Sequence, residues 1–301
     1  MKITIICLAL LAIILHSSCD RVENPVVVRD TSLDWTLYPD ADTSTYPWPT
    51  WTQNTNTAQR VLLEDYTGHT CTNCPAAAVE AKNIEDANGG NVIVMSVHAS
   101  VGGGFQQPSL PDYPLDHRTD AGNAYAIAMN MTLNPSGTIN RVITNGEYSA
   151  FSSDWSNLVN TQLARTPDFN IQCAFNYYPQ TNGLFLHLET EVLNDVQGTY
   201  DIVSLLVRDT LVADQEFPQG LHEEEYDHHS VLTDNISDIW GSPIINGQST
   251  AGTKLYNNYT YVVPSSDTDS SYNINNLSVI TFVSDRDTYE VKQVIKTPLS
   301  E

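Results

Sequence analysis

Basic residues are scarce in this chain. Thirteen lysines and arginines face 36 aspartates and glutamates over 301 residues, a formal charge of -23. Such a polyanion is repelled by phosphate backbones and anionic head groups, which excludes nucleic acid as a partner. After the first residues, no apolar run is long enough to cross a bilayer as a helix. A nucleophile-elbow serine, a phosphate loop and a dinucleotide fingerprint are all missing. The glycine run VGGGF at Val101 lacks the strand-to-helix setting that a phosphate loop requires. Cysteine is also sparse, with five in all, and most of them have separate explanations.

What is present begins with MKITIICLALLAIILHSSC. Lys2 precedes an apolar run from Ile3 to Leu15, then Ser17, Ser18 and Cys19, the pattern of a secretory signal peptide over residues 1–18. Cysteine directly after small residues is also the mark of a lipoprotein signal, with Cys19 acylated as the mature N-terminus. Each buried methylene of its acyl chains adds about 0.8 kcal/mol, so two or more chains anchor stably. Residues 19–59, with YPDADTSTYPWPTWTQNTNT at their centre, read as a tether without useful periodicity. Trp35, Trp48 and Trp51 are unusual in a linker and are expected to pack on the domain that follows.

From Arg60 the pattern becomes regular. VLLEDY reads as a buried strand, PAAAVEAKNIEDAN as a helix with proline in its first turn, and NVIVMSVH as a second strand. TDAGNAYAIAMNM follows as a helix. LNPSGTINRVITNG reads as strand, turn and strand, with Asn145-Gly146 as a hairpin signal. SSDWSNLVNTQLART closes the run as a helix capped by Ser152 or Ser153. This order predicts an α/β domain over residues 60–166. From Pro167 the helical patterns end, and alternating segments such as FNIQCAFNYY and GLFLHLETEVLN predict an all-β antiparallel sandwich over 167–301. Hydrophobic content of 41% is enough for both cores.

The chemistry concentrates at GHTCTNCP. A CxxC between a buried strand and a helix is the arrangement of thioredoxin-like folds. Helix N–H groups there stabilise a thiolate, making Cys71 the attacking thiol and Cys74 the resolving one in a redox reading. Pro135, just before a strand, is placed to be the cis-proline beside such a dithiol. Glu64 and Asp65 lie close by and oppose a thiolate. In an oxidising compartment the pair also serves as a closed disulfide bracing the turn. A zinc site is the third reading, needing His69 and His98 as further ligands. Cys173 sits on the apolar face of a strand with Phe169, Ile171 and Phe175 and reads as an inert buried thiol.

LHEEEYDHHSVL carries a second cluster, with His222, His228 and His229 as candidate metal ligands among carboxylates. The competing reading is a solvated acidic loop leading into a strand. Alternation puts Tyr226, His228 and Ser230 on one side and Asp227, His229 and Val231 on the other.

VLLEDYTGHTCTNCPAAA, NPSGTINR, YDHHSVL and SVITFVSDRDTYEVKQVIKTPL occur here in one order. In these segments, from about Arg60 to the C-terminus, the chain resembles the Bacteroidetes outer-membrane lipoproteins related to outer membrane protein 28. The resemblance implies a thioredoxin-like domain carrying the CxxC, a β-rich domain after it, and a lipid-tethered surface protein. Thr233 stands where a basic residue is expected and His228 where asparagine is. No cofactor is implied. Two functions follow: a lipid-anchored surface module meeting a protein or glycan partner, or a thiol–disulfide oxidoreductase acting through Cys71 and Cys74.

Overall fold

In the computed structural model, which describes residues 33–40, 42–267 and 269–300, VLLEDY forms β1 (Val61–Tyr66), buried along its whole length. The signal segment 1–18 and Cys19 lie outside the described residues. Helix α1 (Cys74–Ala87) follows, with Pro75 in the first turn, where its missing N–H has no partner to lose. Ala77, Ala81 and Ile84 recur at helical spacing and form its buried face. β2 (Val92–Val97) runs parallel to β1. Helix α2 (Asp120–Ala128) starts at Thr119, whose hydroxyl accepts from the Gly122 N–H. β3 (Ser136–Ile139) returns antiparallel to β1. Helix α3 (Ser152–Leu163) completes this half, and α1 and α3 share a core with Val61, Leu63, Val94 and Ile139. Helix α2 packs in the other core, with Leu62, Tyr66 and Met95.

Two local expectations are corrected here. The N-cap of α3 is Phe151, without a side-chain cap, because the helix already includes Ser152 and Ser153. NPSGTINRVITNG gives one strand and not two. Asn140 and Arg141 both take left-handed backbone angles at its end, and the Asn145-Gly146 turn closes only an isolated Thr144–Glu147 bridge.

Strands from both sides of residue 166 share one sheet. β6 (Val196–Phe217), β7 (Leu221–Asn235), β8 (Ser242–Ser249), β10 (Leu277–Asp285) and β11 (Val291–Pro298) join β1–β3 in one mixed sheet. Its order is β11-β10-β6-β7-β2-β1-β3, with β8 also on β6. β4 (Phe169–Tyr178), β5 (Gly183–Val192) and β9 (Lys254–Val262) form a second, antiparallel sheet of three strands. The expected sandwich is therefore β4-β5-β9 against the large sheet, with Leu184, Leu186 and Leu188 facing Ile202, Leu206 and Val279. On the opposite face of β6, Val203, Leu205 and Val207 meet Tyr66, Met95 and Phe282. A strand buried on both faces thus welds the segments 60–166 and 167–301 together, and the described residues belong to one compact unit.

Between β2 and β7 the sheet is continuous through a single pair, Ser96 with Val231, reinforced by the Ser96 hydroxyl donating to the His229 carbonyl at 2.8 Å. A buried ion pair adds to the joint. Arg141 reaches Glu64 of β1 at 2.6 Å, lies 4.1 Å above the Tyr125 ring of α2 and faces Phe282 of β10 at 5.0 Å.

Within the stretch expected as a tether, the described residues from Leu33 pack on the fold. Leu33 and Tyr46 are buried against Phe185 of β5, with Trp35 and Trp48 partly covered beside them. Tyr46 shares a 2.7 Å hydrogen bond with His187, and Asn54 donates to Asn170. Aromatic density makes the segment from Leu33 onward part of the fold.

Candidate functional site

The turn after β1 holds Cys71 and Cys74 in a disulfide, with their Cα atoms 5.4 Å apart. Cys74 is the first residue of α1, and Cys71 precedes the helix in a hydrogen-bonded turn, its N–H donating to Gly68 and its carbonyl accepting from Cys74. The helix thus begins at the second cysteine, not the first. The Asn134–Pro135 peptide bond is cis. Ser136 pairs with Tyr66, a register that carries Pro135 opposite Thr67, four residues before Cys71.

Both sulfur-bearing residues are almost inaccessible, 2% exposed for Cys71 and 1% for Cys74. Two segments cover them. On one side, Thr70 donates to the Phe105 carbonyl, and a Cβ on Gly68 would meet that oxygen at 2.6 Å. Gln106 ties this loop down by donating to Thr67 and to Asn134. On the other side stands a feature the sequence reading missed. β6 and β7 run on past the sheet as a two-stranded arm, in which Gln215 donates to the Cys71 carbonyl at 3.2 Å. The Glu216 N–H donates to the His69 carbonyl at 2.8 Å. LHEEEYDHHSVL is this arm's second strand and not a loop.

Asp65 lies behind the disulfide. It is 1% exposed, its Oδ1 has no hydrogen-bond partner, and burial pushes its carboxyl up to about 7. With Cys74, Ser96, Gln215 and His228 it lines a small pocket of about 30 Å³, room for one water molecule. Its neighbour Glu64 points elsewhere, into the Arg141 pair, and also accepts from Thr138. Adjacent acids in the sequence therefore have different fates, and Asp65 shares a pocket with Cys74.

The predicted histidine ligands are dispersed. His222 pairs with Asp214 on the arm at 2.9 Å, His229 is exposed, and His228 is buried on the opposite side of the strand. The disulfide also removes Cys71 and Cys74 from any thiolate ligand set with His69 and His98. Instead, His98, His117 and His228 meet one another beneath the arm, and His69 meets His117. Ring centres lie 5.1 Å apart for His98 and His117, 5.4 Å for His98 and His228, 5.8 Å for His117 and His228, and 5.9 Å for His69 and His117. His117 comes from the loop before α2 and was not legible as a partner. Burial lowers the pKa of each of the four rings, to about 3 for His117 and about 4 for His228. Cys173 is a free thiol that burial pushes up to about 12.

The family model described as outer membrane protein Omp28 matches residues 122–301, a stretch that starts after the CxxC turn and later than the resemblance from Arg60 suggested. No curated protein matches the chain. Among solved structures, HBP35 of Porphyromonas gingivalis is similar at a TM-score of 0.57 with 15% identity, over 80% of this chain and 75% of that one. A protein from Agrobacterium tumefaciens is similar at 0.50 with 10% identity, over 83% and 97% of the two chains. A domain of the outer membrane lipoprotein Omp28 from P. gingivalis is 20% identical over 44% of this chain and 88% of its own, at a TM-score of 0.30.

Proposed function

The chain belongs to the Omp28 family of outer membrane proteins, and from that premise we propose that it is a surface lipoprotein, anchored through acylated Cys19. In this reading it is a binding or structural module that meets a protein or glycan partner, and Cys71–Cys74 braces its thioredoxin-like half. Parallel β1 and β2, antiparallel β3, helices in the cores on both sides and a disulfide at the start of α1 support the thioredoxin-like assignment.

The observation that carries the bracing role is the burial of both sulfurs under the β6–β7 arm. Thiol–disulfide exchange needs a thiolate to approach a sulfur directly, and the burial of both residues opposes that approach. A second reading, a thiol–disulfide oxidoreductase, is favoured by Asp65, a buried carboxyl near neutrality in the same pocket as Cys74 and suited to moving a proton.

The deciding experiment measures the rate at which dithiothreitol reduces Cys71–Cys74 in the folded protein and in urea, together with exchange in glutathione buffers. A brace is reduced far more slowly when folded and does not catalyse reduction of a disulfide substrate. Removing it by Cys71→Ser and Cys74→Ser costs about 2 kcal/mol, the loop-closure value for so short a ring. Catalysed turnover, lost on Cys71→Ser, would establish the oxidoreductase instead.

A further inference from the structure

The chemistry of the four gathered histidines is not used by either reading of the disulfide. They come from four separate places: the CxxC turn, the end of β2, the loop before α2, and the inward side of β7. All are at least nine-tenths buried, at 1% exposure for His69, 2% for His98 and 5% for His117 and His228. Buried imidazoles ordinarily satisfy their nitrogens. Here both nitrogens of His98 and the Nε2 of His228 have no hydrogen-bond partner. Three orphaned polar atoms in one place are costly for a merely structural cluster.

We propose that His98, His117 and His228, with His69 as a fourth ligand, form a binding site for a divalent transition-metal ion, zinc in the first instance. The spacing agrees with that assignment. An imidazole bound at about 2 Å holds its ring centre about 3 Å from the ion, so tetrahedral neighbours have centres about 5 Å apart. The three separations among His98, His117 and His228 run from 5.1 to 5.8 Å, and His69 lies 5.9 Å from His117.

The outer contacts also fit. The His69 Nε2–H donates to the Gln107 carbonyl at 3.0 Å, which leaves the Nδ1 lone pair for the ion. The backbone of Ala213 and Asp214 lies beside the His228 ring, and its Nε2 is without a partner. A second hydrogen bond that fixes the ring is the usual companion of a metal-binding histidine. Among the described residues no three His, Cys, Asp or Glu side chains already surround a common ion position, so loading includes a turn of the rings. His98 has no hydrogen bond to lose in that turn.

Nitrogen-only donors select the metal. The nearby cysteines are oxidised and offer no thiolate, and oxygen-seeking magnesium or calcium has no carboxylate in the cluster. Neutral rings are the ligating form, and burial keeps these neutral at pH 7. Entry is through the groove of about 820 Å³ that His117 lines with Asp116, Arg208 and Asp269.

The test uses the full chain purified in detergent and stripped with a chelator. Zinc is titrated by calorimetry, and cobalt(II) serves as the coloured probe. One zinc ion per chain is expected, with visible cobalt bands of a tetrahedral nitrogen site. His98→Phe, which gives up no hydrogen bond, and His117→Gln, at the groove, should each weaken zinc at least about 100-fold. His222→Ala should leave binding intact. Circular dichroism identifies variants that stay folded, and either one alone suffices for the comparison. Failure of the wild-type chain to take up stoichiometric zinc overturns the proposal. So does zinc retained in a folded His98→Phe or His117→Gln protein. The cysteines stay oxidised throughout, so the outcome is independent of the part the disulfide plays.

Discussion

Arg141→Met is the substitution that most directly probes how the two halves are joined. The Arg141 and Glu64 side chains are 1% and 0% exposed, and the guanidinium makes two bonds to the carboxylate, at 2.6 and 3.0 Å. Burial alone would lower the arginine's pKa, but the adjacent carboxylate more than offsets this and holds it above its ordinary value. Without Arg141, the buried carboxylate keeps only the Thr138 hydroxyl, at 2.6 Å. Breaking a buried pair from one side costs about 3–5 kcal/mol, because the remaining charge is stranded. Replacing both partners, as Glu64→Leu with Arg141→Met, removes the stranded charge. Most of the loss should then return, less about 1 kcal/mol for the arginine's contact with the Tyr125 and Phe282 rings. Urea unfolding followed by tryptophan fluorescence reads the difference. At a slope of about 3 kcal/mol per molar, the single variant's midpoint falls by about 1 M or more. If the double variant is no more stable than Arg141→Met alone, the stranded-charge account is wrong.

Two further outcomes follow from the geometry. A Cβ at Gly137 would stand 2.7 Å from the Glu64 carbonyl oxygen and from the Trp155 ring, so Gly137→Ala should cost about 1–3 kcal/mol by overpacking, read as a lowered Tm. Without added metal, the protein should lose stability between pH 6.5 and 5. His98, His117 and His228 have folded pKa values below the ordinary 6.5, so their contribution is whole above 6.5 and is lost as pH falls toward the folded values, about 2 kcal/mol by pH 5 for each of His117 and His228. Asp65 works in the opposite direction, since its raised pKa makes the folded state gain about 2 kcal/mol over the same interval. Three rings outweigh one carboxyl; thermal melts should show a net fall that His228→Phe reduces, and a flat profile would contradict the balance.

The first half of the fold was legible because its signals are local. VLLEDY, the alanine-rich helix behind Pro75 and NVIVMSVH each carry their own periodicity and punctuation, and all three form where expected. The arm was not legible. Tyr226 and His228 alternate with Asp227 and His229 as a strand should, but HEEE before them has no apolar face, and its pairing with Gln215 and Glu216 depends on β6 coming back across the Gly220 turn. β8, with only Ile245 fully buried, left an equally faint pattern. The histidine cluster is a matter of tertiary placement alone, because His98 and His117 look like isolated residues until β7 comes down beside them. The same holds for Asp65. Nothing in the sequence separates it from Glu64, yet one carboxyl pairs with an arginine and the other lines a pocket with Cys74.

The strength of the arm sets how far the two readings of the disulfide can differ. Two hydrogen bonds tie it to the CxxC turn, Gln215 to Cys71 and Glu216 to His69, and each contributes about 1 kcal/mol. Beyond Thr210 the arm pairs only with itself, so it can open without unfolding the sheet, in the manner of a local unit of low stability. An opening free energy of about 2–3 kcal/mol leaves the disulfide exposed roughly 1% of the time. Reduction of the folded protein would then be slowed about 100-fold relative to an exposed disulfide, and Gln215→Ala should recover several-fold of that. A much larger retardation, insensitive to Gln215, would place the barrier in the Phe105 loop or the core and make the pair a brace only. A zinc ion held by His228 of the arm and His98, just past β2, would clamp the arm shut. Metal uptake and slow reduction should therefore rise together.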